Sequence, residues 1–298
     1  MQSLRAATIL FVFFVATLIG IPWQSLALRL RLPRRKTFPN RYHRWLCKLF
    51  GIRVTIIGTP IQNRGVLMAA NHSSYFDILV LSCAARVSFV AKKEVGRWPF
   101  FGTLARLQET VFVERERRSQ AAAARQDIRK RLLEGDALVL FPEGTSSDGN
   151  RVLPFRSALM GAAESEVGTD AQGKIQYVPV QPVSVSYVGL HGIPMGRENR
   201  PLFAWYGDMD LVPHLWDAVK AGPFDVVVEF HPSMTITSAL DRKALSAASE
   251  AAVRDGQARA LAGLYCDLAL KSSPGAAKHP ASRAHKPDLL ASTQADHA

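Results

Sequence analysis

Cysteine is scarce in this chain, and several motifs that would define its chemistry are missing. The 298 residues include three cysteines, Cys47, Cys83 and Cys266, which lie far apart and form no C-x-x-C pair. Such spacing argues against a disulfide framework and a structural zinc site, and it favours a reducing compartment. The sequence also has no internal repeat and no G-x-S-x-G motif, which argues against a serine hydrolase of the α/β type.

Negative charge is missing from the first quarter of the chain. The first acidic residue is Asp77, and eleven Lys or Arg residues precede it, so that nearly all of the net charge of +12 lies there. A basic block beside an apolar one is typical of proteins at a membrane surface. A chain that is basic throughout would instead suggest nucleic-acid binding, and no motif of that class is present. We therefore predict membrane lipids as partners and no nucleic acid.

The apolar block is Ala6–Leu28, which has 23 consecutive uncharged residues. This length is enough to cross a hydrocarbon core of ~30 Å. Because the basic residues follow the block, the positive-inside rule predicts an inner-membrane anchor at residues 1–28 and a main domain facing the cytoplasm. A cleaved signal peptide is the alternative, since Ser25–Ala27 fits a cleavage site. Pro22 leaves open whether the helix spans the bilayer or turns back within one leaflet.

The rest of the chain divides into three parts. Residues 29–52 form a basic juxtamembrane segment, and Tyr42–Phe50 has the pattern of an amphipathic helix. Residues 53–270 are predicted to form one α/β domain with a largely parallel sheet flanked by helices, because strand and helix patterns alternate. Residues 271–298 have few large apolar residues and are predicted as a disordered tail.

The predicted strands are Arg53–Ile57, Gly65–Ala70, Val87–Ala91, Thr110–Val113, Asp136–Phe141, Ile175–Val185 and Phe224–Phe230. The predicted helices are Asp77–Ala85, Phe100–Leu107, Ser119–Leu133, Ser157–Glu166 and Asp241–Leu270.

The first chemical motif, Asn71–Asp77, comes directly after the predicted strand Gly65–Ala70. In one continuous α-helix, the side chains of His72 and Asp77 would lie ~140° apart. If His72 lies in a loop and Asp77 in the first helical turn, Asp77 can accept the Nδ1 proton and leave Nε2 as a base. The alternative is a surface histidine near an aspartate at a helix start.

Three further segments have a chemical and a structural interpretation each. Phe141–Ser147 follows an apolar strand and offers a carboxylate and backbone N–H groups at the edge where open α/β sheets bind ligands; alone, it is a polar turn. Arg115 closes a strand and suits an anion, although an arginine at a strand end is usually just solvated. Val178–Val180, taken alone, is a strand with a proline.

Taken in this order, the four segments resemble the glycerolipid acyltransferase family, which includes bacterial 1-acylglycerol-3-phosphate acyltransferases. The family blocks are N-H-x-x-x-x-D, F-[IV]-x-R, F-P-E-G-T-[RS]-S and V-P-V. They are similar to Asn71–Asp77, Phe112–Arg115, Phe141–Ser147 and Val178–Val180. Lys92 and Trp98–Gly102 also look like the family, and the resemblance covers roughly residues 40–190.

The resemblance implies O-acyl transfer from a thioester, on acyl-CoA or acyl carrier protein, to the hydroxyl of a lysolipid acceptor. It implies no acyl-enzyme, no metal and no redox cofactor. His72 would be the general base and Asp77 would orient it, while backbone N–H groups near Asn71–Ser73 or Gly144 would stabilise the oxyanion. The implied substrate-binding residues are Lys92, Arg115, Glu143, Gly144, Thr145, Val178, Pro179 and Val180.

One departure from the family pattern bears on the acceptor. Phosphatidic-acid-forming members commonly carry an arginine after E-G-T, whereas this chain has Ser146, with Asp148 close behind. Some bacterial relatives acylate a lyso-ornithine lipid, which carries an amine and a carboxylate instead of a phosphate. Because Arg115 is present, we expect 1-acyl-sn-glycerol-3-phosphate first and lyso-ornithine lipid as the alternative. A catalytically inactive, membrane-tethered lipid-binding protein is a further alternative, against which the intact His72 and Asp77 argue.

Overall fold

The computed structural model describes residues 1–113, 118–169, 173 and 175–265, without the side chains of residues 118–124. Arg115 and the predicted tail at 271–298 lie outside the described residues. The helices are α1 (Gln2–Arg29), α2 (Phe38–Phe50), α3 (Phe76–Ala84), α4 (Phe101–Leu107), α5 (Arg118–Leu133), α6 (Leu211–Ala221) and α7 (Arg242–Leu261). The strands are β1 (Ile52–Ile57), β2 (Val66–Ala70), β3 (Ser88–Lys92), β4 (Val111–Val113), β5 (Ala137–Leu140), β6 (Glu166–Thr169), β7 (Ile175–Tyr177), β8 (Val180–Leu190), β9 (Ile193–Pro194) and β10 (Phe224–Phe230).

One eight-stranded sheet organises the domain. Its order is β1-β10-β8-β2-β5-β3-β4, with β9 paired to β8. From β8 to β4 neighbouring strands are parallel, whereas β10 runs antiparallel to β8 and carries β1 parallel to itself. The predicted α/β fold with a largely parallel sheet is confirmed.

Strand β2 shows why both faces of the sheet are covered. All five of its residues are fully buried, so it is apolar throughout rather than alternating. Val66, Met68 and Ala70 pack into one core cluster with residues of α2 and α3, while Leu67 and Ala69 pack into a second cluster with residues of α5 and α7. The sheet is therefore the middle of three layers, and the burial of each large apolar side chain contributes roughly 1.5–3 kcal/mol.

Two predicted elements differ from those observed because of local breaks in the chain. The segment predicted as one strand at Ile175–Val185 is split: β7 pairs with β6 in a separate two-stranded sheet, and β8 begins only at Val180. Pro179 lies at the break, where its lack of an N–H interrupts a ladder. The segment predicted as a helix at Ser157–Glu166 is a 3-10 helix over Ser157–Glu164, and Glu166 already belongs to β6.

Other boundaries shift without changing the architecture. Helix α2 begins at Phe38 rather than Tyr42, and α7 ends at Leu261, well before residue 270. Helix α6 and the short strand β9 were not predicted.

The N-terminal helix α1 is continuous through Pro22. Among the helices of the described residues, α1 is long and apolar enough to cross a membrane. Its outward face is apolar, with exposed side chains at Phe11, Phe14, Leu18 and Ile19. These features support association with a membrane.

The opposite stripe of α1 is docked on the domain by its few polar side chains. Gln24 donates from Nε2 to the carbonyl of Leu107, at 3.0 Å. Thr17 bonds the hydroxyl of Tyr42 in α2, and Arg5 donates from Nη2 to the carbonyl of Val219 in α6, at 2.8 Å. Both ends of α1 therefore contact the folded domain.

Candidate active site

The register of β2 and β5 brings the two principal motifs together. The strands are parallel neighbours with Ala69 opposite Leu140, so the segments that follow them leave the same edge of the sheet. His72 follows β2 and Phe141 follows β5. Their rings stack with centroids 4.0 Å apart, and the N–H of Ser147 donates to the carbonyl of His72 at 2.8 Å. The Phe141–Ser147 loop thus fixes His72 by its ring and by its backbone.

His72 and Asp77 form the pair that the sequence predicts. His72 lies in the loop and Asp77 in the first turn of α3, and Nδ1 of His72 lies 2.8 Å from Oδ2 of Asp77. The imidazole is 23% exposed, whereas the carboxylate is fully buried. Nε2 has no hydrogen-bond partner among the residues that the structure describes, which leaves it available to accept a proton.

Three further donors converge on the Asp77 carboxylate. The N–H groups of Ser73 and Ser74 donate to Oδ2 at 2.7 Å and 3.0 Å, and the hydroxyl of Tyr187 donates to Oδ1 at 2.7 Å. Together with His72, these donors hold the buried carboxylate in one orientation behind the imidazole.

Tyr187 is a site residue that sequence reasoning missed. It lies on β8, is 1% exposed, and stacks on Phe224 with ring centroids 5.8 Å apart. Burial raises its pKa well above the ordinary value of 10.0, so its hydroxyl stays protonated and donates. It is 110 residues from Asp77 along the chain. A tyrosine in an apolar strand carries no local signal that distinguishes it from a core residue.

Asn71, the first residue of the motif, has a structural role. Its side-chain amide donates to the carbonyl of Val185 at 2.8 Å and accepts from the N–H of Val185 at 2.7 Å. The side chain of Asn71 thus makes the two hydrogen bonds to β8 that the backbone of a neighbouring strand would make, although β2 has already ended. It holds the loop against β8, the strand that also carries Tyr187.

Glu143 points inward rather than toward an open site. Its carboxyl oxygens accept from the N–H of Leu153 at 3.1 Å and from the N–H of His72 at 3.4 Å. Burial raises its pKa to about 8, so the carboxyl group is largely protonated at neutral pH. Glu143 therefore braces the loop of residues 71–75 between β2 and α3, the histidine loop, from behind. The neighbouring Gly144 has φ of +76°, a conformation that favours glycine, and Thr145 is exposed.

Three of the N–H groups predicted as oxyanion donors already have acceptors in the protein. The N–H of Ser73 bonds Asp77, and the N–H of Gly144 donates to the carbonyl of Phe141 at 3.1 Å. The N–H of His72 faces Glu143. The structure thus does not leave these groups free to stabilise an oxyanion.

The V-P-V segment lies away from the histidine, contrary to its predicted role in lining the channel. Val180 is level with Leu67, near the start of β2, because β8 and β2 are parallel in that register. Val178 and Val180 are fully buried in the core cluster on the α7 side, and the carbonyl of Pro179 accepts from Leu67. These residues build the core. Lys92 is exposed at the end of β3, on the same edge of the sheet as His72.

A second Ser–His–Glu group lies elsewhere in the fold. Oγ of Ser184 is 2.7 Å from Nε2 of His231, whose Nδ1 is 3.7 Å from Glu229. Ser184 donates its single proton to the carbonyl of Val253, so His231 must donate to the serine. A Cβ at Gly256 of α7 would lie 2.3 Å from Ser184 Oγ. This group is therefore covered by the helix and fixes α7; it is not a nucleophile.

An apolar cavity of about 250 Å³ lies beside the histidine loop. Helices α1, α2, α3 and α4 and strand β3 contribute to its walls, with Phe89 and Ala91 on the sheet side. Phe89 stacks on Phe141, the ring that supports His72. His43 also lines the cavity, and burial lowers its pKa to about 4, so that it is neutral there. The apolar walls of the cavity suit a hydrocarbon chain.

The residues after E-G-T form the other flank of the site. Ser146 donates from Oγ to the carbonyl of Trp205, and the N–H of Trp205 donates to the carbonyl of Ser73 at 2.8 Å. These bonds hold the 195–205 segment beside the histidine loop. Within the described ranges, no group of three or more His, Cys, Asp or Glu side chains is arranged to hold a metal ion.

The chain is similar to known acyltransferases. The model of a family described as Acyltransferase matches residues 52–186. The chain is 43% identical over 252 residues to a lyso-ornithine lipid O-acyltransferase of Brucella abortus, covering 85% of this chain and 93% of that protein. It is 45% identical over 242 residues to a protein of the same description from Rhizobium meliloti, covering 81% and 82%.

Two further similarities are to proteins described by a different acceptor. A 1-acyl-sn-glycerol-3-phosphate acyltransferase of Neisseria gonorrhoeae is 32% identical over 195 residues, covering 65% of this chain and 70% of that one. The crystal structure of the 1-acyl-sn-glycerophosphate acyltransferase PlsC from Thermotoga maritima matches with a TM-score of 0.60 at 23% identity, covering 87% and 97%. The latter shows the fold.

Proposed function

This chain belongs to the acyltransferase family, and on that premise we propose that it is a lyso-ornithine lipid O-acyltransferase. It is an acyltransferase that acts on lysolipids, as its relatives are. The proposal goes further in naming the acceptor. In this reaction the acyl group of a thioester, carried by CoA or acyl carrier protein, is transferred to the free hydroxyl of a lyso-ornithine lipid.

The similarity to the lyso-ornithine lipid enzymes carries the acceptor assignment. Identity to them reaches 43–45% over more than four-fifths of this chain, against 32% over 65% for the Neisseria relative named for a phosphate-bearing acceptor. The alternative acceptor of the sequence analysis is therefore supported better than the first choice. Ser146 also supports this acceptor. It stands where phosphatidic-acid-forming relatives commonly have an arginine, and its hydroxyl donates to the backbone carbonyl of Trp205. Arg115, the reason for the first choice, lies outside the described residues.

In the proposed reaction His72 acts as general base. The acceptor hydroxyl lies against Nε2 of His72, which takes its proton as the oxygen attacks the thioester carbonyl. The tetrahedral intermediate then collapses, the carbon–sulfur bond breaks, and the thiolate takes the proton from the imidazolium. Asp77 stabilises the imidazolium through Nδ1 while the two serine N–H groups and Tyr187 hold its carboxylate. The pair so arranged argues against the alternative of an inactive lipid-binding protein.

The apolar cavity is proposed to take the acyl chain that is being transferred. Its walls are almost entirely apolar, and it adjoins Phe89 and hence the ring that supports His72. Burying each methylene of a chain there contributes about 0.8 kcal/mol. For the whole protein we propose that α1 anchors it in the inner membrane with the domain facing the cytoplasm, where acyl thioesters are available.

The test is acyl transfer by the full-length protein in detergent micelles. Labelled acyl-CoA and acyl carrier protein thioesters are offered with lyso-ornithine lipid or 1-acyl-sn-glycerol-3-phosphate. We expect product from the first acceptor, at a rate that falls by about 10²–10⁴ in His72→Ala. Product from the phosphate acceptor alone would refute the acceptor assignment, and a fully active His72→Ala would refute the mechanism.

A further inference from the structure

A pair of opposite charges lies beside the catalytic histidine, on segments that no sequence motif covers. Asp148 follows Ser147, whose N–H donates to the carbonyl of His72. Arg200 lies on the 195–205 segment, which the N–H of Trp205 ties to Ser73. The two charges therefore stand on the two polypeptide segments that flank the histidine loop.

One residue, Asn150, orients both charges through its backbone and its side chain. Asn150 donates from its backbone N–H to Oδ1 of Asp148 at 3.1 Å, and its side-chain oxygen accepts from Nη1 of Arg200 at 2.8 Å. Nη2 of Arg200 donates to the carbonyl of Met195 at 3.0 Å. Asn150 also donates from Nδ2 to the carbonyl of Arg197 at 3.2 Å. The guanidinium and the carboxylate are thus held in place by neutral groups.

Neither charge forms an ion pair within the described part of the chain. Asp148 and Arg200 are half-buried, and their side chains meet only through Asn150. Nε of Arg200 is buried without a hydrogen-bond partner. Burial lowers the pKa of Arg200, and Arg197 lowers it further while Asp148 acts in the opposite sense. A carboxylate and a guanidinium that are fixed in place without an ion-pair partner suit a ligand that brings the complementary charges.

We infer that Arg200 and Asp148 form the headgroup subsite of the acceptor, with Arg200 binding its carboxylate and Asp148 its ammonium group. This inference rests on the proposed function, because the lyso-ornithine headgroup carries one group of each sign next to the acyl-bearing chain. A phosphate monoester would meet Arg200 favourably but would be repelled by Asp148. The same pair therefore accounts for selection of a zwitterionic acceptor over an anionic one.

The experiment pairs each variant with an acceptor that lacks the matching charge. Full-length wild type, Asp148→Asn and Arg200→Gln are assayed with lyso-ornithine lipid, with its derivative acetylated on the free amine, and with its derivative amidated on the carboxylate. Asp148→Asn keeps an oxygen to accept from the N–H of Asn150. Arg197→Gln and Glu198→Gln are matched controls, since they remove the same charges from exposed neighbouring positions.

Loss of each charge is expected to matter only when its partner is present. Asp148→Asn should lower kcat/KM for lyso-ornithine lipid by about tenfold or more and leave the rate with the acetylated acceptor unchanged. Arg200→Gln should do the same for the parent lipid and leave the amidated acceptor unchanged. The two control variants should match wild type.

Two results would overturn the inference. If the kcat/KM of a variant falls by the same factor with charged and uncharged acceptors, the side chain only supports the loop. If kcat/KM does not fall at all, the headgroup binds elsewhere. Both results require wild type to use lyso-ornithine lipid. A wild type that uses only 1-acyl-sn-glycerol-3-phosphate would instead refute the proposed function, and the inference with it.

Discussion

Replacing Asp77 by asparagine should remove a charge and leave the geometry of the site intact. Oδ2 of Asp77 accepts from the N–H groups of Ser73 and Ser74 and from His72, so only an oxygen fits there. The amide nitrogen must then occupy the Oδ1 position, facing the hydroxyl of Tyr187, which can accept as well as donate. His72 therefore keeps its Nδ1–H bond and its tautomer.

The size of the effect follows from the charge alone. At ~4 Å and an effective dielectric constant of ~20, a carboxylate stabilises an imidazolium by about 4 kcal/mol, and some of this is offset by desolvation. A net loss of about 2–4 kcal/mol in the transition state lowers kcat by roughly 30- to 1,000-fold. In serine proteases the same change costs ~10⁴-fold because the histidine adopts the wrong tautomer.

The assay compares kcat and KM of wild type, Asp77→Asn and Asp77→Ala with one thioester and one lysolipid. Asp77→Asn should lose activity in kcat with little change in KM and should unfold at nearly the wild-type temperature. Asp77→Ala leaves two serine N–H groups without an acceptor and should also lose stability, by about 1–3 kcal/mol per group. Wild-type kcat in Asp77→Asn would refute the reasoning, since Asp77 would then serve only the loop.

Three further predictions concern the surroundings of the pair. Tyr187→Phe keeps the ring but removes the donor to Asp77; kcat should fall about tenfold at unchanged KM, and an unchanged kcat would contradict this role. Glu143 has a folded pKa of about 8 against an ordinary 4.5, so the stability it contributes is present below pH ~4.5 and lost as pH rises through ~8. The unfolding temperature of Glu143→Gln should therefore rise relative to that of wild type as pH increases from 5 to 9. A difference between the two temperatures that stays constant with pH would show that Glu143 is ionised throughout. Ala91→Phe narrows the cavity of about 250 Å³, and turnover of long-chain thioesters should fall relative to short-chain ones; an equal fall would place the acyl chain elsewhere.

Local sequence was sufficient to predict the contact between His72 and Asp77. His72 and Asp77 are five residues apart, and a strand end followed by a helix start leaves few arrangements for the segment between them. Parallel neighbouring strands then account for the meeting of this loop with Phe141–Ser147. In both cases the geometry depends on the strand ends that apolar runs reveal.

Sequence was insufficient where the position depended on strand direction or on distant pairing. Val178–Val180 is a family block, but as the start of a strand parallel to β2 it lies at the edge away from His72. Tyr187 reaches Asp77 only because β8 pairs with β2, and Arg200 reaches Asn150 only because two loops fold together. The apolar pattern of a sequence does not indicate which strands pair with each other or where a loop runs.

One face of helix α1 is exposed and the other lines the cavity, so that only this helix separates the cavity from the surroundings of the protein. Phe11 and Leu18 point outward, while Phe13, Thr17 and Gly20 line the cavity. When the outer face lies among lipids, an acyl chain need only pass around this helix to reach the site. Moving a chain of ~16 carbons through water would instead cost about 0.8 kcal/mol per methylene, or roughly 12 kcal/mol in all. In the proposed membrane arrangement, α1 thus also removes the aqueous step from delivery of the acyl chain.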